Sequence, residues 1–422
     1  MEFKTNAAPY VRSKRSTLQI MIALCIALAI VWVFGIIYSF KLDSTINPLA
    51  QQQLLQYTVK VMENGKEVEQ TKYYGTTNYG LMSILNVLIA VIVSAGCDAI
   101  INLVKQLKKN KTVDGKELLK YVVHNYSYVS GLIFALTVPA YTNVYIIIIG
   151  SIFATIVCKN VFGGFGKNVF NPAAMARIFV ALCFGAALGT PDVVKCAATY
   201  LAGAEEATTF AVDAVSGATL TTVYNNVSGW METTTASGNT LLLNNVLFNG
   251  FTTVDLLTGN YLGALGETFT IVIFVLGIVL SVLKVINWRT PVFYLGTVAL
   301  SALLIALFNG LNPGLYVLAH LSLGGLMFGA VFMLTDPVTG PTSNYGKCIA
   351  AIFAGFLTVL IRVKGGYPEG VVYSIAMANL LTPLIDTLLK GKTNSQYTGK
   401  IVGLSAGVLC SALILGLLGN IR

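Results

Sequence analysis

Long apolar runs constrain this chain more than any other feature of its sequence. The first run extends from Leu18 to Phe40 without a charged residue, and a helix of about 20 apolar residues is enough to cross a bilayer. Of the 422 residues 55% are hydrophobic and only 11% are charged, a composition far from that of a soluble domain. The sequence therefore predicts an all-α polytopic membrane protein.

Ten or eleven transmembrane helices are predicted from these runs. After the first run, the candidate spans are 79–103, 129–141, 142–160, 172–190, 265–286, 291–308, 317–335, 347–363, 370–389 and 401–419. The segment 129–141 is short, and it either crosses the membrane or re-enters it. The first run follows four basic residues but is too long for the apolar core of a signal peptide, so it is predicted to remain as a span.

The distribution of lysine and arginine predicts the orientation of the chain. The N-terminal segment carries four basic residues and one acid, and the connection 105–120 carries six lysines and two acids. Both are therefore predicted to be cytoplasmic. The long connection 191–263 has one lysine and six acids, and counting the spans places it outside. The formal charge is +9, and the basic residues concentrate in short loops and termini. This pattern sets topology and predicts contact with lipid headgroups, with no nucleic-acid partner.

Cysteine and histidine are too scattered to predict a metal site. The seven cysteines occur singly, with no Cys-x-x-Cys pair, and the two histidines are His124 and His320. An iron–sulfur cluster or a zinc ion needs several such ligands close together. We therefore predict no metal ligand in this chain.

One small polar segment in the connection 191–263 is the candidate site for covalent attachment of a cofactor. In Asp213-Ala-Val-Ser-Gly-Ala-Thr219, the small residues Gly217 and Ala218 leave room for a bulky group beside the backbone, and Thr219 offers a hydroxyl for esterification. The segment resembles the signature at which a flavin transferase attaches FMN through a phosphoester. Asp213 and Ser216 are then predicted to serve that transferase or to shape the turn. The alternative is an ordinary polar surface turn.

Internal repetition predicts two related halves. The pattern Gly131-x-x-Phe-x-Leu-Thr-Val-Pro139 returns as Gly329-x-x-Phe-x-Leu-Thr-Asp-Pro337, and a Gly-Gly-aromatic element with Ala-Met-Ala returns about 200 positions later. An odd number of segments separates the copies, so the five-helix halves are predicted to be inverted in the membrane. Each repeated proline ends an apolar stretch and predicts a broken or re-entrant helix.

Few charged residues lie within or beside the predicted spans. They are Asp98, Arg177, Asp336, Arg362 and Asp386, and each should face protein, water or a partner because a charge in lipid is costly. Asp98 and Asp386 are predicted at helix ends. Arg177 is the candidate for a cation that stabilises a reduced flavin, although a carboxylate or a headgroup would serve it equally as a partner.

Four motifs, in order along the chain, resemble one protein family. They are Tyr10-Val-Arg-Ser-Lys-Arg-Ser, Gly166-Lys-Asn-Val-Phe-Asn-Pro-Ala173, the Asp213–Thr219 segment and Met333-Leu-Thr-Asp-Pro-Val-Thr339. Together they resemble the D subunit of the Rnf complex and, with a different N-terminus, the B subunit of the sodium-pumping NADH:quinone oxidoreductase. The resemblance implies covalent FMN at Thr219 and electron relay between ferredoxin and NAD, coupled to sodium or proton movement. It also implies that riboflavin lies between the halves near 162–173.

The resemblance also predicts the organisation and the partners of the chain. The expected parts are a cytoplasmic terminus 1–16, a first membrane half 17–190 with a polar loop 41–77 and a basic loop 104–128, the flavin-bearing connection 191–263 and a second half 264–422. The implied location is the inner membrane of a bacterium or archaeon. The implied partners are the flavin transferase, the other Rnf subunits and the electron donor and acceptor subunits, because no side chain here supplies the redox chemistry.

Two other classes of function fit the same patterns in part. A urea-channel-like transporter would explain inverted halves and broken helices without any flavin. A scaffold protein would need neither flavin nor solute flux. The four motifs favour the redox interpretation.

Overall fold

The computed structural model describes most of the membrane-embedded chain. The described residues are 16–54, 56–63, 66–110, 113–188, 191, 193, 257–258, 263–310, 312–365, 370–389, 403, 406–411 and 413–415. The predicted flavin motif at 213–219, the connection that carries it and the N-terminal motif up to residue 15 lie outside the described residues.

Helices account for most of the described chain, which confirms the predicted all-α membrane fold. The first half contains α1 (Thr17–Gln51), α2 (Tyr79–Asn110), α3 (Gly115–Asn125), α4 (Ser127–Leu136), α5 (Val144–Ile152, continued by a π-helix Phe153–Asn160) and α6 (Pro172–Cys183). The second half contains α7 (Thr270–Val282), α8 (Arg289–Phe308), α9 (Pro313–Ser322), α10 (Leu326–Phe328, continued by a π-helix Gly329–Met333), α11 (Asn344–Lys364) and α12 (Val371–Leu389).

Five of the described helices are long and apolar enough to cross a membrane, namely α1, α2, α8, α11 and α12. A sixth span is formed if the bent pair α9 and α10 is counted as one, and shorter apolar helices occupy the other predicted spans within the described residues. The total of ten or eleven spans and the inverted relation of the halves stay predictions.

The first helix is longer than the sequence pattern suggests. It ends at Gln51 instead of Phe40, and a two-stranded antiparallel hairpin follows it, with β1 (Gln56–Glu63) paired to β2 (Lys66–Tyr73). Asp43 lies in this extension, and its carboxylate accepts hydrogen bonds from the backbone N–H groups of Tyr79 (2.9 Å) and Gly80 (2.7 Å). The segment 41–77 thus begins inside α1 and is anchored at the start of α2, whose first N–H groups need acceptors.

The predicted span 317–335 is a broken helix. Its two parts, α9 and α10, meet at an angle of 62°, because Gly324 and Gly325 adopt φ values of 71° and 63°, a conformation that glycine accepts without strain. The buried guanidinium of Arg362 donates hydrogen bonds to the carbonyls of His320 and Leu323, both at 2.6 Å. Carbonyls freed by the break are thereby satisfied without water, as a membrane interior requires.

The first half is broken as predicted around Pro139. Helix α4 ends at Leu136, and the carbonyls of Leu136 and Val138 accept hydrogen bonds from the backbone N–H groups of Gly266 (2.7 Å) and Leu265 (3.2 Å). The segment before α7 therefore supplies the partners that the broken helix lacks. This contact joins the two halves of the chain through their backbones.

Candidate functional site

A buried cavity lies where the two halves meet. Its volume is about 80 Å³, and its walls come from α1, α4, the loop 161–171, the connection from α7 to α8 and the turn that follows α10. Most lining residues are apolar, and the polar ones are Tyr126, Ser130, Lys159, Asn168, Asn171, Thr335 and Asp336. Part of its wall belongs to the glycine-rich segment 162–173, where the resemblance implies a second flavin.

Glycines shape the wall formed by the loop 161–171. Gly163, Gly164 and Gly166 have φ values of 110°, 91° and 87°, where residues with a Cβ are strained. At Gly164 a Cβ would also lie 3.0 Å from Oδ1 of Asn125. That oxygen accepts a hydrogen bond from the backbone N–H of Phe165 (2.8 Å). The glycines thus let the loop approach the end of α3 closely.

A polar network inside the protein holds this loop in place. Asp98 is completely buried, and its Oδ1 accepts hydrogen bonds from Nδ2 of Asn125 (2.7 Å) and Nδ2 of Asn160 (2.8 Å). The prediction that Asp98 lies at a helix end is wrong, because α2 continues to Asn110. A buried carboxylate requires donors, and the two asparagines provide them for Oδ1, while Oδ2 has no hydrogen-bond partner among the described residues.

Lys159 brings a positive charge into the same network. The side chain is 2% exposed, and its ammonium donates a hydrogen bond to the backbone carbonyl of Asn125. Nζ also lies 5.6 Å from the centre of the Phe165 ring, a favourable cation–π contact. The carboxylates of Asp98 and Asp336 both act on it electrostatically. Lys159 therefore links the polar network to the cavity.

Asn171 forms hydrogen bonds both within the first half, at the start of α6, and to the second half. Its Oδ1 caps α6 by accepting from the N–H groups of Ala173 (3.0 Å) and Ala174 (3.3 Å), and Pro172 occupies the first helical position. Its Nδ2 donates to the carbonyl of Met333 (3.0 Å), 162 positions away. The second copy of the repeat therefore contacts the start of α6 directly.

Asp336 is the acidic residue of the cavity. It lies in the turn after α10, and its carboxylate accepts hydrogen bonds from the N–H of Val338 (3.1 Å) and the hydroxyl of Thr339 (3.2 Å). Burial raises the pKa of the Asp336 carboxyl, while these two donors and the charge of Lys159 act in the opposite direction. The cavity thus places an amide, an ammonium and a carboxyl group around apolar walls.

The polar groups that line this cavity suit a flavin ring, but the volume of the cavity is too small for one. Flavin rings offer both donors and acceptors on an apolar framework, and Asn168, Asn171, Lys159 and Asp336 are suitable partners. Sites for ligands of that size measure roughly 300–1,000 Å³, whereas this cavity measures about 80 Å³. A whole isoalloxazine does not fit this cavity in the described conformation, so we assign no electron-transfer step to it.

Arg177 lies in a different place from the glycine-rich loop. It is 7% exposed and lines a cavity of about 30 Å³ between the two helix breaks, together with Thr137, Glu267 and Gly325. Oε2 of Glu267 accepts a hydrogen bond from the N–H of Ala264 (2.8 Å). The predicted contact of Arg177 with a flavin stays a prediction, and the structure places the residue among the breaks that join the halves.

Sequence reasoning missed several residues of these sites. Lys159 and Glu267 carry charge inside the predicted spans 142–160 and 265–286, and a stricter search for charged residues in spans would have found both. Asn125 and Asn160 left no such signal, because asparagine is common at loops and helix ends.

Asp386, which the sequence analysis did name, accepts hydrogen bonds from the backbone N–H of Thr342 (3.1 Å) and the hydroxyl of the same residue (3.1 Å).

Comparisons with known proteins agree with this architecture. A family model described as the NQR2, RnfD, RnfE family matches residues 4–394. The chain is 33% identical over 313 residues to the D subunit of the proton-translocating ferredoxin:NAD(+) oxidoreductase complex of Clostridium ljungdahlii, covering 74% of this chain and 84% of the relative. It is 32% identical over 314 residues to the D subunit of the Na(+)-translocating ferredoxin:NAD(+) oxidoreductase complex of Acetobacterium woodii, covering 74% and 82%.

A second group of relatives is similar over a shorter region. The chain is 34% identical over 271 residues to the B subunit of the Na(+)-translocating NADH-quinone reductase of Stutzerimonas stutzeri. That alignment covers 63% of this chain and 60% of the relative. The two D subunits therefore align with a larger part of this chain, and over a larger part of their own length, than this B subunit does.

Proposed function

Because this chain belongs to the NQR2, RnfD, RnfE family, we propose that it is the membrane electron-relay subunit of an ion-translocating ferredoxin:NAD(+) oxidoreductase of the Rnf type. The observation that carries the proposal is the similarity to two D subunits over 74% of this chain. The coupled ion is sodium or a proton. The remaining subunits of the complex provide the electron donor and acceptor sites, so the chain alone is an incomplete enzyme.

The B subunit of a sodium-translocating NADH-quinone reductase is the second candidate. A relative of that type is 34% identical to this chain, which is as high as the identity to the D subunits. The shorter region of similarity favours the Rnf type. In both candidates the chain works as a membrane-embedded part of a larger redox complex.

Covalent FMN at Thr219 is the central feature of the proposal. The Asp213–Thr219 segment offers a threonine hydroxyl beside Gly217 and Ala218, whose small size admits the flavin transferase and its substrate. When attached, FMN supplies reversible redox chemistry that no side chain of this protein offers. Thr219 retains the cofactor covalently, and Asp213 and Ser216 serve the attachment. Arg177 remains our candidate for a cation that acts on a reduced flavin.

The inter-half cavity supports a coupling role instead of a second complete flavin site. Asn171 and the paired backbones of Leu136 and Gly266 connect the halves rigidly, and Lys159 and Asp336 place opposite charges at the same junction. A riboflavin near 162–173 would require the cavity to widen. A change of charge nearby would alter the balance between Lys159 and the two carboxylates that act on it.

The proposed location is the inner membrane of a bacterium or archaeon, with a cytoplasmic N-terminus and the Thr219 connection outside. Helices α4 and α5 support this orientation. Asn86 donates to the carbonyls of Ala140 and Thr142 at one end of this pair, and Asp98 binds Asn125 and Asn160 at the other end. Twelve residues of α2 separate the two levels, ~18 Å at 1.5 Å per residue. The pair begins and ends at the level of Asp98, so it returns the chain to the side on which it began, which supports the side predicted for 191–263.

In-gel flavin fluorescence tests the proposal directly. The full chain is co-expressed with an active flavin transferase and separated on a denaturing gel, as wild type, Thr219→Val and Thr219→Ser. We expect a fluorescent wild-type band and complete loss in Thr219→Val, because valine has a similar shape but no hydroxyl. Thr219→Ser retains a hydroxyl and should retain some fluorescence.

The opposite results are equally clear. A fluorescent Thr219→Val band would contradict attachment at this residue. A dark wild-type band, with the same transferase shown to modify another substrate, would contradict the flavoprotein proposal and favour a channel or scaffold.

A further inference from the structure

A second, larger cavity opens at one end of the helices of the second half. Its volume is about 430 Å³. It lies between the connection from α7 to α8, the turn after α10, the first turn of α11 and the middle of α12. It adjoins the inter-half cavity, with which it shares Val285, Ile286, Thr335, Asp336 and Pro337, but it extends away from α1 and α4, which do not line it. Of its lining residues, the proposed function uses Asp336 alone.

Basic residues dominate the charge of this cavity. Lys284, Arg289 and Lys347 line it together with one carboxylate, Asp336. The carboxylate is already engaged by the N–H of Val338 and the hydroxyl of Thr339. Arg289 and Asp386 act on Lys347 with opposite effects. Three cations that converge on one concave space form a site for an anion.

A buried donor lies deeper in the same cavity. Asn379, on α12, is 4% exposed and lines the cavity. Within the part of the chain that the structure describes, its amide nitrogen has no hydrogen-bond partner. Buried amide donors are normally satisfied, so this one points to a ligand that accepts hydrogen bonds.

The surroundings of the opening are apolar. Val282, Leu283, Trp288 and Val292 are large, exposed side chains at the adjoining ends of α7 and α8, and Val282 is 74% exposed. The guanidinium of Arg289 lies 5.0 Å from the centre of the Trp288 ring. Tryptophan beside arginine at a helix end is typical of the membrane–water boundary. A ligand here would thus meet cations inside the cavity and a lipid-facing surface outside it.

We propose that this cavity binds the phosphate headgroup of an anionic phospholipid. Arg289 and Lys347 pair with the phosphate, the amide of Asn379 donates to one of the headgroup oxygens, and the acyl chains lie along the exposed apolar side chains. Soluble phosphate shares the anionic chemistry but leaves the apolar surroundings unused. This inference is independent of the flavin proposal.

Native mass spectrometry of the full chain, purified and delipidated in neutral detergent, tests the site. The protein is titrated with phosphatidylglycerol, with phosphatidylcholine and with inorganic phosphate alone. The test variants are Asn379→Asp, which places a carboxylate at the buried donor with almost no change in shape, and the double variant Arg289→Gln, Lys347→Gln. Lys116→Gln, which removes an exposed cation on α3, is the matched control.

We expect one phosphatidylglycerol to bind wild type at least about tenfold more tightly than phosphatidylcholine. Both test variants should lose about tenfold or more of that affinity, and Lys116→Gln should keep it. Equal binding of both lipids by wild type overturns the proposal, as does unchanged phosphatidylglycerol binding in both test variants. Binding of inorganic phosphate without phosphatidylglycerol binding would overturn the lipid assignment. If one test variant does not fold, as judged by its thermal unfolding, the other decides.

Discussion

A buried lysine is tolerated only when its ammonium has partners. Lys159 meets that condition through the carbonyl of Asn125, the Phe165 ring and the nearby carboxylates of Asp98 and Asp336. One of these partners depends on the loop 161–171, which brings Phe165 over the ammonium and binds Asn125 through its backbone. The geometry of single residues in that loop therefore affects whether the charge network can form.

Gly164→Ala adds only one methyl group but should destabilise the protein clearly. Alanine at φ 91° is strained, and its Cβ would lie 3.0 Å from Oδ1 of Asn125, so the bond from the N–H of Phe165 would also be disturbed. A strained backbone conformation costs about 1–3 kcal/mol. Thermal unfolding in detergent should show a lower Tm for this variant than for wild type.

Gly166→Ala is the matched control for that prediction. Gly166 has nearly the same φ, 87°, but a Cβ there would meet nothing within 4 Å. It should share the strain of the backbone and lack the contact with Asn125. Equal Tm values for the two variants would show that the approach to Asn125 does not matter.

At the scale of elements, each broken helix is completed by a distant part of the chain. The first break uses the N–H groups of Leu265 and Gly266, and the second uses the side chain of Arg362. Threonine hydroxyls satisfy carbonyls where α4 and the π-helix after α10 end, since Thr137 donates to Phe134 and Thr335 donates to Val331. Proline and glycine interrupt these helices, and the distant donors then bind the backbone carbonyls that the interruptions leave without partners.

Arg362→Gln should loosen the break between α9 and α10. Glutamine cannot reach both the His320 and the Leu323 carbonyls, and each lost hydrogen bond to the charged group costs ~2 kcal/mol. We expect a lower Tm and faster hydrogen exchange of the backbone amides around residues 320–330. Hydrogen exchange with mass spectrometry measures the second effect.

Lys364→Gln is the control, because it removes an exposed cation two residues away on the same helix. It should leave both readouts close to wild type. Unaltered exchange around 320–330 in Arg362→Gln would mean that the guanidinium does not maintain this break.

At the scale of the whole molecule, the orientation determines where the flavin-bearing connection lies. Single cysteines at three positions, in a chain whose native cysteines are replaced by serine, report it. We expect a membrane-impermeant maleimide to label Gln52→Cys and Ser237→Cys in intact cells, and to label Lys108→Cys only after permeabilisation. The physical reason is the excess of lysine around α3, combined with the start and end of the α4–α5 pair at one level of α2.

Labelling of Lys108→Cys in intact cells, with Ser237→Cys protected, would reverse the orientation. Labelling of Gln52→Cys without Ser237→Cys would mean that the chain crosses the membrane once more or once less between them. The labelled side of Ser237 also tells on which side the flavin transferase must act.

Much of the fold could be predicted from local patterns. Apolar runs identified the membrane helices, the repeated prolines follow the ends of α4 and of the π-helix after α10, and Asn171-Pro172 is a typical start of a helix. The break at Gly324 and Gly325 was not predicted. The candidate site could be predicted only in part. The glycine-rich segment was identified, and the charge of Lys159 inside a predicted span was a signal that the sequence offered. The two asparagines that bind Asp98 became visible only when α2, α3 and α5 were packed together.

The sequence by itself determined the membrane class, the family and the place of the Asp213–Thr219 segment along the chain, because hydropathy and short motifs are local properties. Only the tertiary structure decided which residues complete each broken helix and which charges share a cavity. Asn171 and Met333, or Leu136 and Gly266, are paired across more than a hundred positions. Such pairs are selected by the need to satisfy buried backbone groups once the helices are packed, and no periodicity in the sequence encodes them.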